Sequence, residues 1–225
     1  MSTGHDDDVS KVLAAVAGSS HRVDERALRL FVEELLEWNR DIGLVSKRET
    51  PAVVARLIER SVRLWDFVRG ALAVEPAPTP VRRVADIGTG AGFPGLVWKM
   101  ISPELDLVLV ERKEKKVAFL ERVIARAGLA NVTPVAADLR EFALYERHGH
   151  AFDLAVMMAV TTPEDITEPI ERILRVPGYF CAVRGRNQEI PAESLGRCLQ
   201  EIARGDTHEG RFLLYKNTCG NTEPA

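Results

Sequence analysis

A glycine-rich turn constrains the fold of this chain more than any other feature of its sequence. Residues 86–95 read Asp-Ile-Gly-Thr-Gly-Ala-Gly-Phe-Pro-Gly, and they lie between an arginine-interrupted apolar run at 81–85 and a second apolar run at 96–100. This order predicts a strand, a tight turn and the start of a helix. Glycine lacks a Cβ and tolerates positive φ, so a ligand can approach the backbone there. The first amides of the helix favour polar or anionic groups, which predicts a site for a nucleotide-like cofactor.

The spacing of the glycines separates the candidate cofactors. A dinucleotide turn has the pattern G-x-G-x-x-G, but Phe93 stands where its third glycine would be. A phosphate-binding loop needs a lysine where this chain has Leu96. The observed spacing, with Asp86 at the strand end, resembles the D-x-G-x-G-x-G signature of methyltransferases that use S-adenosylmethionine. We expect the Asp86 carboxylate to face the ammonium group of such a cofactor.

Acidic residues close the next two predicted strands. Glu111 follows the apolar run 105–110 and lies 23 residues after Gly88. A carboxylate at this point of an α/β fold accepts hydrogen bonds from ribose hydroxyls, which fits S-adenosylmethionine and NAD equally. Asp138 follows a weaker strand, and either Asp138 or the backbone of residues 139–140 is expected to meet the adenine. A solvated loop acid is the equal alternative for Asp138.

Strand and helix patterns alternate after the proline-rich segment 75–80, and two amphipathic helices precede it. The alternation predicts an open, mostly parallel sheet with helices on both faces and a ligand at the carboxyl ends of its strands. The predicted helices are 23–38, 51–68, 93–101, 113–128, 163–175 and 192–204, and the predicted strands are 82–86, 105–111, 132–137, 152–157, 179–184 and 211–216.

Composition indicates the cellular compartment and limits how the chain can contact nucleic acid. No run approaches 18 apolar residues, and residues 1–8 are acidic without an apolar signal region, so we expect a cytoplasmic protein that does not enter a membrane. Three distant cysteines, Cys181, Cys198 and Cys219, predict a reducing compartment and neither disulfides nor a metal site. The net charge of −3 means that any contact with nucleic acid must come from a local basic patch.

Most of the chain, from about residue 25 to 217, resembles the bacterial small-subunit ribosomal RNA guanine-N7 methyltransferases, the family also called glucose-inhibited division protein B. The resemblance implies an α/β class I S-adenosylmethionine-dependent methyltransferase fold, with a Rossmann-like, mostly parallel seven-stranded sheet and an N-terminal helical cap. It implies methyl transfer to guanine N7 of 16S ribosomal RNA, so that ribosomal RNA or the small subunit is the partner. The matching segments are 37–39, 86–95, 109–111, 115–120, 141–142, 152–153, 177–178 and 212–216.

We therefore expect a disordered tail at 1–8, a helical region at 9–74, a Rossmann-like domain at 81–217 and a second tail at 218–225. The predicted site has two parts, a cofactor set and a substrate set. The cofactor set is Asp86, Gly88, Thr89, Gly90, Gly92, Phe93, Glu111, Arg112, Asp138, Leu139 and Arg140, and the substrate set is Lys115, Met158 and Arg184.

The chain departs from the family pattern near the expected substrate. Asp138 and Met158 replace arginines, and Arg184 replaces a lysine, whereas Lys115 is retained. Three alternatives therefore stay open: a methyltransferase of a small-molecule acceptor on the same scaffold, a non-catalytic RNA-binding relative, and an NAD-dependent oxidoreductase, which Phe93 disfavours. Further departures are Gly43, Val45, Leu57 and Arg60.

No residue stands out as a catalytic acid or base. Guanine N7 carries a free lone pair, so its methylation requires alignment of the reactants and no general base. His148 is expected in a loop at the amino end of a strand, far from the site. Lys115, Arg122 and Arg126 share one helix face, which is either a track for RNA phosphates or a solvated surface.

Overall fold

A computed structural model describes residues 9–10, 21–46, 50–76, 80–158, 166–185, 198–208 and 210–219. The predicted tail at 1–8, residues 220–225 of the second tail and residues 192–197 of a predicted helix lie outside these ranges. The domain boundaries given above remain a prediction.

Seven strands form one sheet in the order β3-β2-β1-β4-β5-β7-β6. Strands β1 to β5 are parallel, and β7 pairs antiparallel with both β5 and β6. This arrangement confirms the mostly parallel seven-stranded sheet. The strands are β1 (Arg83–Ile87), β2 (Asp106–Glu111), β3 (Val132–Ala136), β4 (Phe152–Met158), β5 (Leu174–Arg184), β6 (Leu199–Thr207) and β7 (Gly210–Asn217).

Helices cover both faces of the sheet. Helices α1 to α4 share one apolar core with the sheet, and α5 and α6 share a second core on the opposite face. Asp24 caps the start of α1, where its carboxylate accepts a hydrogen bond from the Ala27 amide, and Gly43 ends α1 in the left-handed conformation. The helices are α1 (Glu25–Ile42), α2 (Thr50–Ala73), α3 (Gly95–Ile101), α4 (Glu114–Ala127), α5 (Leu139–Leu144) and α6 (Thr167–Ile173).

Helix α1 is fixed to α4 by a buried carboxylate. Glu34 on α1 is only 1% exposed, and it pairs with both Arg122 and Arg126 on α4. One turn further along, the Trp38 ring packs against Phe119. Arg122 and Arg126 therefore hold the N-terminal helix in place, with about half of each side chain still exposed. That they continue an RNA track from Lys115 stays a prediction.

Two predicted elements differ from the structure. Residues 199–204 were expected in a helix but form the first part of β6, because pairing with β7 overrides a local pattern in which Leu199, Ile202 and Ala203 recur at helical spacing. The predicted helix 163–175 ends at Ile173, and β5 begins at Leu174, earlier than expected. Helix α5 was not predicted, because its six residues are too few to show a helical repeat of apolar residues.

The expectation that the chain holds no disulfide is also wrong. Cys198, just before β6, and Cys219, just after β7, form a disulfide with their Cα atoms 5.0 Å apart. The antiparallel register pairs Leu199 with Asn217, and it brings together cysteines that lie 21 residues apart in the chain. Linear spacing does not reveal such a register. Cys181 is a free and buried thiol in β5.

No helix in the described part of the chain is long and apolar enough to cross a membrane.

Candidate active site

A cavity of about 360 Å³ lies at the carboxyl ends of β1, β2 and β4, which is where the sequence predicted a ligand. Half of its wall is apolar, and the other half carries charged side chains or exposed backbone. The apolar part is Ile87, Val110, Ala137, Leu139, Met157 and Ile166, and the polar part is Gly88, Glu111, Arg112, Lys113, Lys116 and Asp138.

The glycine turn between β1 and α3 has the backbone conformation that its sequence predicts. Gly88, Gly90 and Gly92 have φ values of 67°, 61° and 93°, in the left-handed region that favours glycine. A Cβ at Gly92 would collide with the Leu96 side chain. The amide of Gly88 donates a hydrogen bond of 2.8 Å to the Val110 carbonyl, which joins the turn to β2. The turn is therefore tied to β2, and Gly88 is its contribution to the cavity wall.

Asp86 supports this turn from behind. Its carboxylate is fully buried, and Oδ2 accepts hydrogen bonds from the Thr89 hydroxyl at 2.7 Å and the Gly95 amide at 2.9 Å. Burial raises the pKa of Asp86 to about 7, and the two hydrogen bonds oppose that rise. Asp86 is not part of the cavity wall, which corrects the expectation that it faces an ammonium group of the cofactor. Its place in the structure is that of a residue that positions the turn.

Glu111 is the carboxylate that does face the cavity. It ends β2 and is 7% exposed. Its Oε2 accepts a hydrogen bond from the Gly90 amide at 3.2 Å, and its Oε1 accepts one from the Lys113 amide at 2.9 Å. A carboxylate can accept about four hydrogen bonds, so both oxygens keep acceptor capacity. Glu111 can thus hold a vicinal diol while it fixes the segments on either side.

Asp138 has a structural partner of its own. Its Oδ1 accepts a hydrogen bond of 2.9 Å from the Glu141 amide, which makes Asp138 the N-cap of α5. Asp138 and Leu139 both lie in the cavity wall. Arg140 is exposed and does not belong to that wall.

The remaining residues of the predicted cofactor set divide between wall and support. Arg112 lies in the wall. Thr89, Gly90 and Gly92 belong to the turn, while Phe93 packs its ring 5.3 Å from the Phe31 ring of α1. Sequence reasoning missed the wall residues Ile87, Val110, Lys113, Lys116, Ala137, Met157 and Ile166.

The missed apolar residues could have been predicted from their positions at the strand ends. They come from the last positions of β1, β2 and β4, from the residue after β3 and from the start of α6. A mostly parallel sheet with its ligand at the carboxyl ends points to such positions directly.

The predicted substrate residues lie at the same edge of the sheet but outside the cavity wall. Lys115 is exposed in the first turn of α4, next to the wall residue Lys116. Met158 ends β4 half-buried against the core shared by α1 to α4. Arg184 ends β5 and is 8% exposed, and burial lowers the pKa of its guanidinium. The structure does not bring these three side chains together into one pocket.

The family described as rRNA small subunit methyltransferase G matches residues 24–202 of this chain. The chain belongs to this methyltransferase family. A relative named Ribosomal RNA small subunit methyltransferase G from Desulfitobacterium hafniense is 31% identical, over 87% of this chain and 82% of its own length. Relatives of the same name from Roseiflexus castenholzii and Methylococcus capsulatus are 34% and 32% identical, and they cover 73% and 79% of this chain and 68% and 78% of their own lengths.

Solved structures share the fold. A methyltransferase from Geobacter sulfurreducens has a TM-score of 0.57 at 18% identity, over 93% of this chain and 96% of its own. A ribosomal protein L11 methylase from Lactobacillus delbrueckii has a TM-score of 0.54 at 16% identity, over 72% and 80%. These likenesses confirm the class I methyltransferase fold that the sequence predicted.

The residues of the cavity fit S-adenosylmethionine as the cofactor of this methyltransferase. The flat faces of the adenine ring suit apolar contacts, and the wall offers Ile87, Val110 and Leu139. The ribose carries two hydroxyl donors, and Glu111 offers two carboxylate oxygens at the edge of the same cavity. Pockets for cofactors commonly measure about 300–1,000 Å³, a range that includes this cavity.

Proposed function

We propose that this chain transfers the methyl group of S-adenosylmethionine to N7 of a guanine in small-subunit ribosomal RNA. The observation that carries the proposal is a cavity with a left-handed glycine turn and a buried acceptor, Glu111, in a chain of the rRNA small subunit methyltransferase G family. The first feature supports the cofactor, and family membership supports the RNA substrate.

The chain's own residues bind and orient the cofactor. Glu111 accepts hydrogen bonds from the ribose hydroxyls, and the apolar wall holds the adenine. When bound, the cofactor supplies an electrophilic methyl group on a sulfonium centre. Asp86 keeps the turn in shape through Thr89 and Gly95, so the cofactor meets a preformed backbone surface.

Alignment is the main contribution that this reaction asks of the protein. Positioning of a nucleophile against an electrophile can supply up to about 7–11 kcal/mol of the barrier. Guanine N7 needs no deprotonation, and no histidine lies in the cavity wall among the residues that the structure describes. His148 is buried at the amino end of β4, where its Nδ1 lies 2.9 Å from the Phe142 carbonyl. The arrangement therefore supports a mechanism without a general base.

The base enters, in this proposal, beside the ends of β4 and β5. Met158 offers a flexible apolar surface there, and Arg184 offers a guanidinium. In place of a family arginine, Met158 contacts the base through its thioether and methyl groups, and RNA phosphates contact cations elsewhere on this edge.

A methyl-transfer assay with radiolabelled S-adenosylmethionine tests the proposed function. The acceptors are small ribosomal subunits, naked small-subunit ribosomal RNA and an RNA-free metabolite extract. We expect label in the RNA, and mass spectrometry of its nucleosides should identify N7-methylguanosine. Label that enters only the extract would replace the RNA substrate with a small molecule, and no transfer to any acceptor would indicate a non-catalytic relative.

A further inference from the structure

Four cationic side chains follow β2 within five residues: Arg112, Lys113, Lys115 and Lys116. We call these four residues the β2 basic patch. The only carboxylate inside this run is Glu114. Three members of the patch, Arg112, Lys113 and Lys116, line the cavity, and Lys115 is exposed beside them. The patch therefore forms one rim of the proposed cofactor site.

The patch has no neutralising partner in the part of the chain that the structure describes. No hydrogen bond or ion pair joins any of its four side chains to an acidic residue there. Further along the same helix, Arg122 and Arg126 both pair with Glu34. The contrast shows that α4 neutralises its cations at one end and leaves them open to solvent at the other.

The position of the patch is unfavourable for the helix itself. Positive charge at a helix N-terminus opposes the helix dipole and destabilises the helix. Lys113 is the N-cap residue of α4, yet its side chain makes no capping hydrogen bond. Helix stability therefore does not account for these residues.

The cofactor does not account for them either. S-adenosylmethionine carries a sulfonium, an ammonium and a carboxylate, and its net charge of about +1 is repelled by a cluster of cations. The ribose acceptor at this rim is already present in Glu111, whose oxygens bind the Gly90 and Lys113 amides. An anionic ligand other than the cofactor would be attracted to these four cations.

We propose that the β2 basic patch binds backbone phosphates of the RNA substrate and that the RNA seated there covers the ribose side of the cofactor cavity. This inference rests on the proposed function, and it adds where the RNA lies and in which order the ligands bind. Because Arg112, Lys113 and Lys116 belong to the cavity wall, a polyanion on them closes that rim. The cofactor then binds before the RNA and leaves after it.

The double variant Lys113→Gln/Lys115→Gln tests the contact. Removing two phosphate contacts should weaken binding of unmodified, transcribed small-subunit ribosomal RNA, and it should flatten the dependence of log K on log salt by about 1.5–2. The matched control is Arg26→Gln/Arg29→Gln, which removes the same charge from the exposed face of α1. We expect the control to keep the wild-type salt dependence.

The outcomes distinguish a failure of the patch proposal from a failure of the proposed function. A double variant that binds and methylates the RNA like the wild type overturns the patch and leaves the function intact. If the wild type itself neither binds nor methylates the RNA, the proposed function fails, and the patch proposal fails with it. Affinity for S-adenosylhomocysteine, measured on every variant without RNA, separates a lost RNA contact from a damaged cofactor site.

Ligand order has its own measurement. Radiolabelled S-adenosylhomocysteine is bound to the protein, and its release into excess unlabelled ligand is followed with and without the transcribed RNA. We expect the RNA to slow release severalfold in the wild type and in the Arg26→Gln/Arg29→Gln control, and less in the Lys113→Gln/Lys115→Gln variant. Release at the same rate with and without bound RNA would overturn the covering of the cavity.

Discussion

At the scale of single residues, two buried carboxylates near the turn have different roles. Glu111 faces the cavity and holds two backbone amides, whereas Asp86 lies behind the turn and holds the Thr89 hydroxyl and the Gly95 amide. Both were predicted to contact the cofactor, and the structure separates them into a wall residue and a supporting residue. Their substitutions should therefore differ in kind.

Glu111→Ala should weaken the binding of S-adenosylhomocysteine. The substitution removes one or two charge-assisted hydrogen bonds to the ribose, each worth about 1.5–3 kcal/mol, and it also releases the Gly90 and Lys113 amides. Calorimetry checks the affinity, and Glu114→Ala, on the exposed start of α4, is the matched control. A folded Glu111→Ala variant with wild-type affinity would contradict the assignment.

Asp86 should make stability depend on pH. Its folded pKa is raised to about 7 from an unfolded value of 3.8, so the unfolded state ionises first as pH rises. The contribution of Asp86 is fully present below pH 3.8 and is lost as pH rises towards about 7. Urea unfolding of the wild type and of Asp86→Asn between pH 5 and 8 checks this. The free energy of unfolding of the wild type should fall relative to that of the variant over this range, and parallel curves would contradict it.

At the scale of elements, two cross-links join neighbouring parts of the fold. The Glu34 carboxylate joins α1 to α4, and the Cys198–Cys219 disulfide joins the outer ends of β6 and β7. The first lies on the helix that packs Phe31 against Phe93 and Trp38 against Phe119, and the second ties the edge strand β6 to β7. Each cross-link makes a prediction about stability.

Removing the two arginines should destabilise the protein more than removing Glu34. Arg122→Ala/Arg126→Ala leaves a carboxylate that is 1% exposed without its partners, and such a loss costs about 3–5 kcal/mol. Glu34→Leu leaves arginines that are about half exposed and can turn to water, so it should cost clearly less. Urea unfolding of both variants measures the difference. If both variants lost the same free energy of unfolding, the burial of Glu34 would not make its carboxylate depend on the two arginines.

The disulfide should stabilise the chain under oxidising conditions. Closing a loop of 21 residues constrains the unfolded chain by about 3 kcal/mol. Dithiothreitol should therefore lower the urea midpoint of the wild type and leave that of Cys219→Ser unchanged. A thiol titration of the unfolded protein should find one free thiol, Cys181, before reduction and three after it. An unchanged wild-type midpoint after full reduction would contradict the prediction.

At the scale of the whole molecule, the N-terminal helices are part of the methyltransferase core. Helices α1 and α2 contribute to the same apolar cluster as α3, α4 and one face of the sheet. The Trp65 ring of α2 lies 4.9 Å from the Trp98 ring of α3, and the Trp98 indole donates a 2.8 Å hydrogen bond to the Ser61 carbonyl. The helical cap and the sheet therefore share their stability.

Unfolding should accordingly be a single cooperative transition. The three tryptophans, Trp38, Trp65 and Trp98, lie on α1, α2 and α3, so their fluorescence reports on the helical side, whereas far-ultraviolet circular dichroism reports on the whole chain. We expect the two urea curves to coincide. A fluorescence midpoint clearly below the dichroism midpoint would show that the cap unfolds by itself.

The sequence by itself determined the turn, the class of sheet and the family. Positive φ at Gly88, Gly90 and Gly92 follows from residue chemistry, and the strand ends follow from apolar runs, because both are local properties of the chain.

Only the tertiary structure decided which polar groups meet. Pairing of β6 with β7 replaced the end of a predicted helix and brought Cys198 to Cys219, and packing of α1 on α4 paired Arg122 and Arg126 with Glu34. The β2 basic patch lies at the cavity rim, where Arg112, Lys113 and Lys116 meet the ends of β1 and β4. Partners in a fold are set by contacts between residues distant in sequence, and one sequence without its fold does not record those contacts.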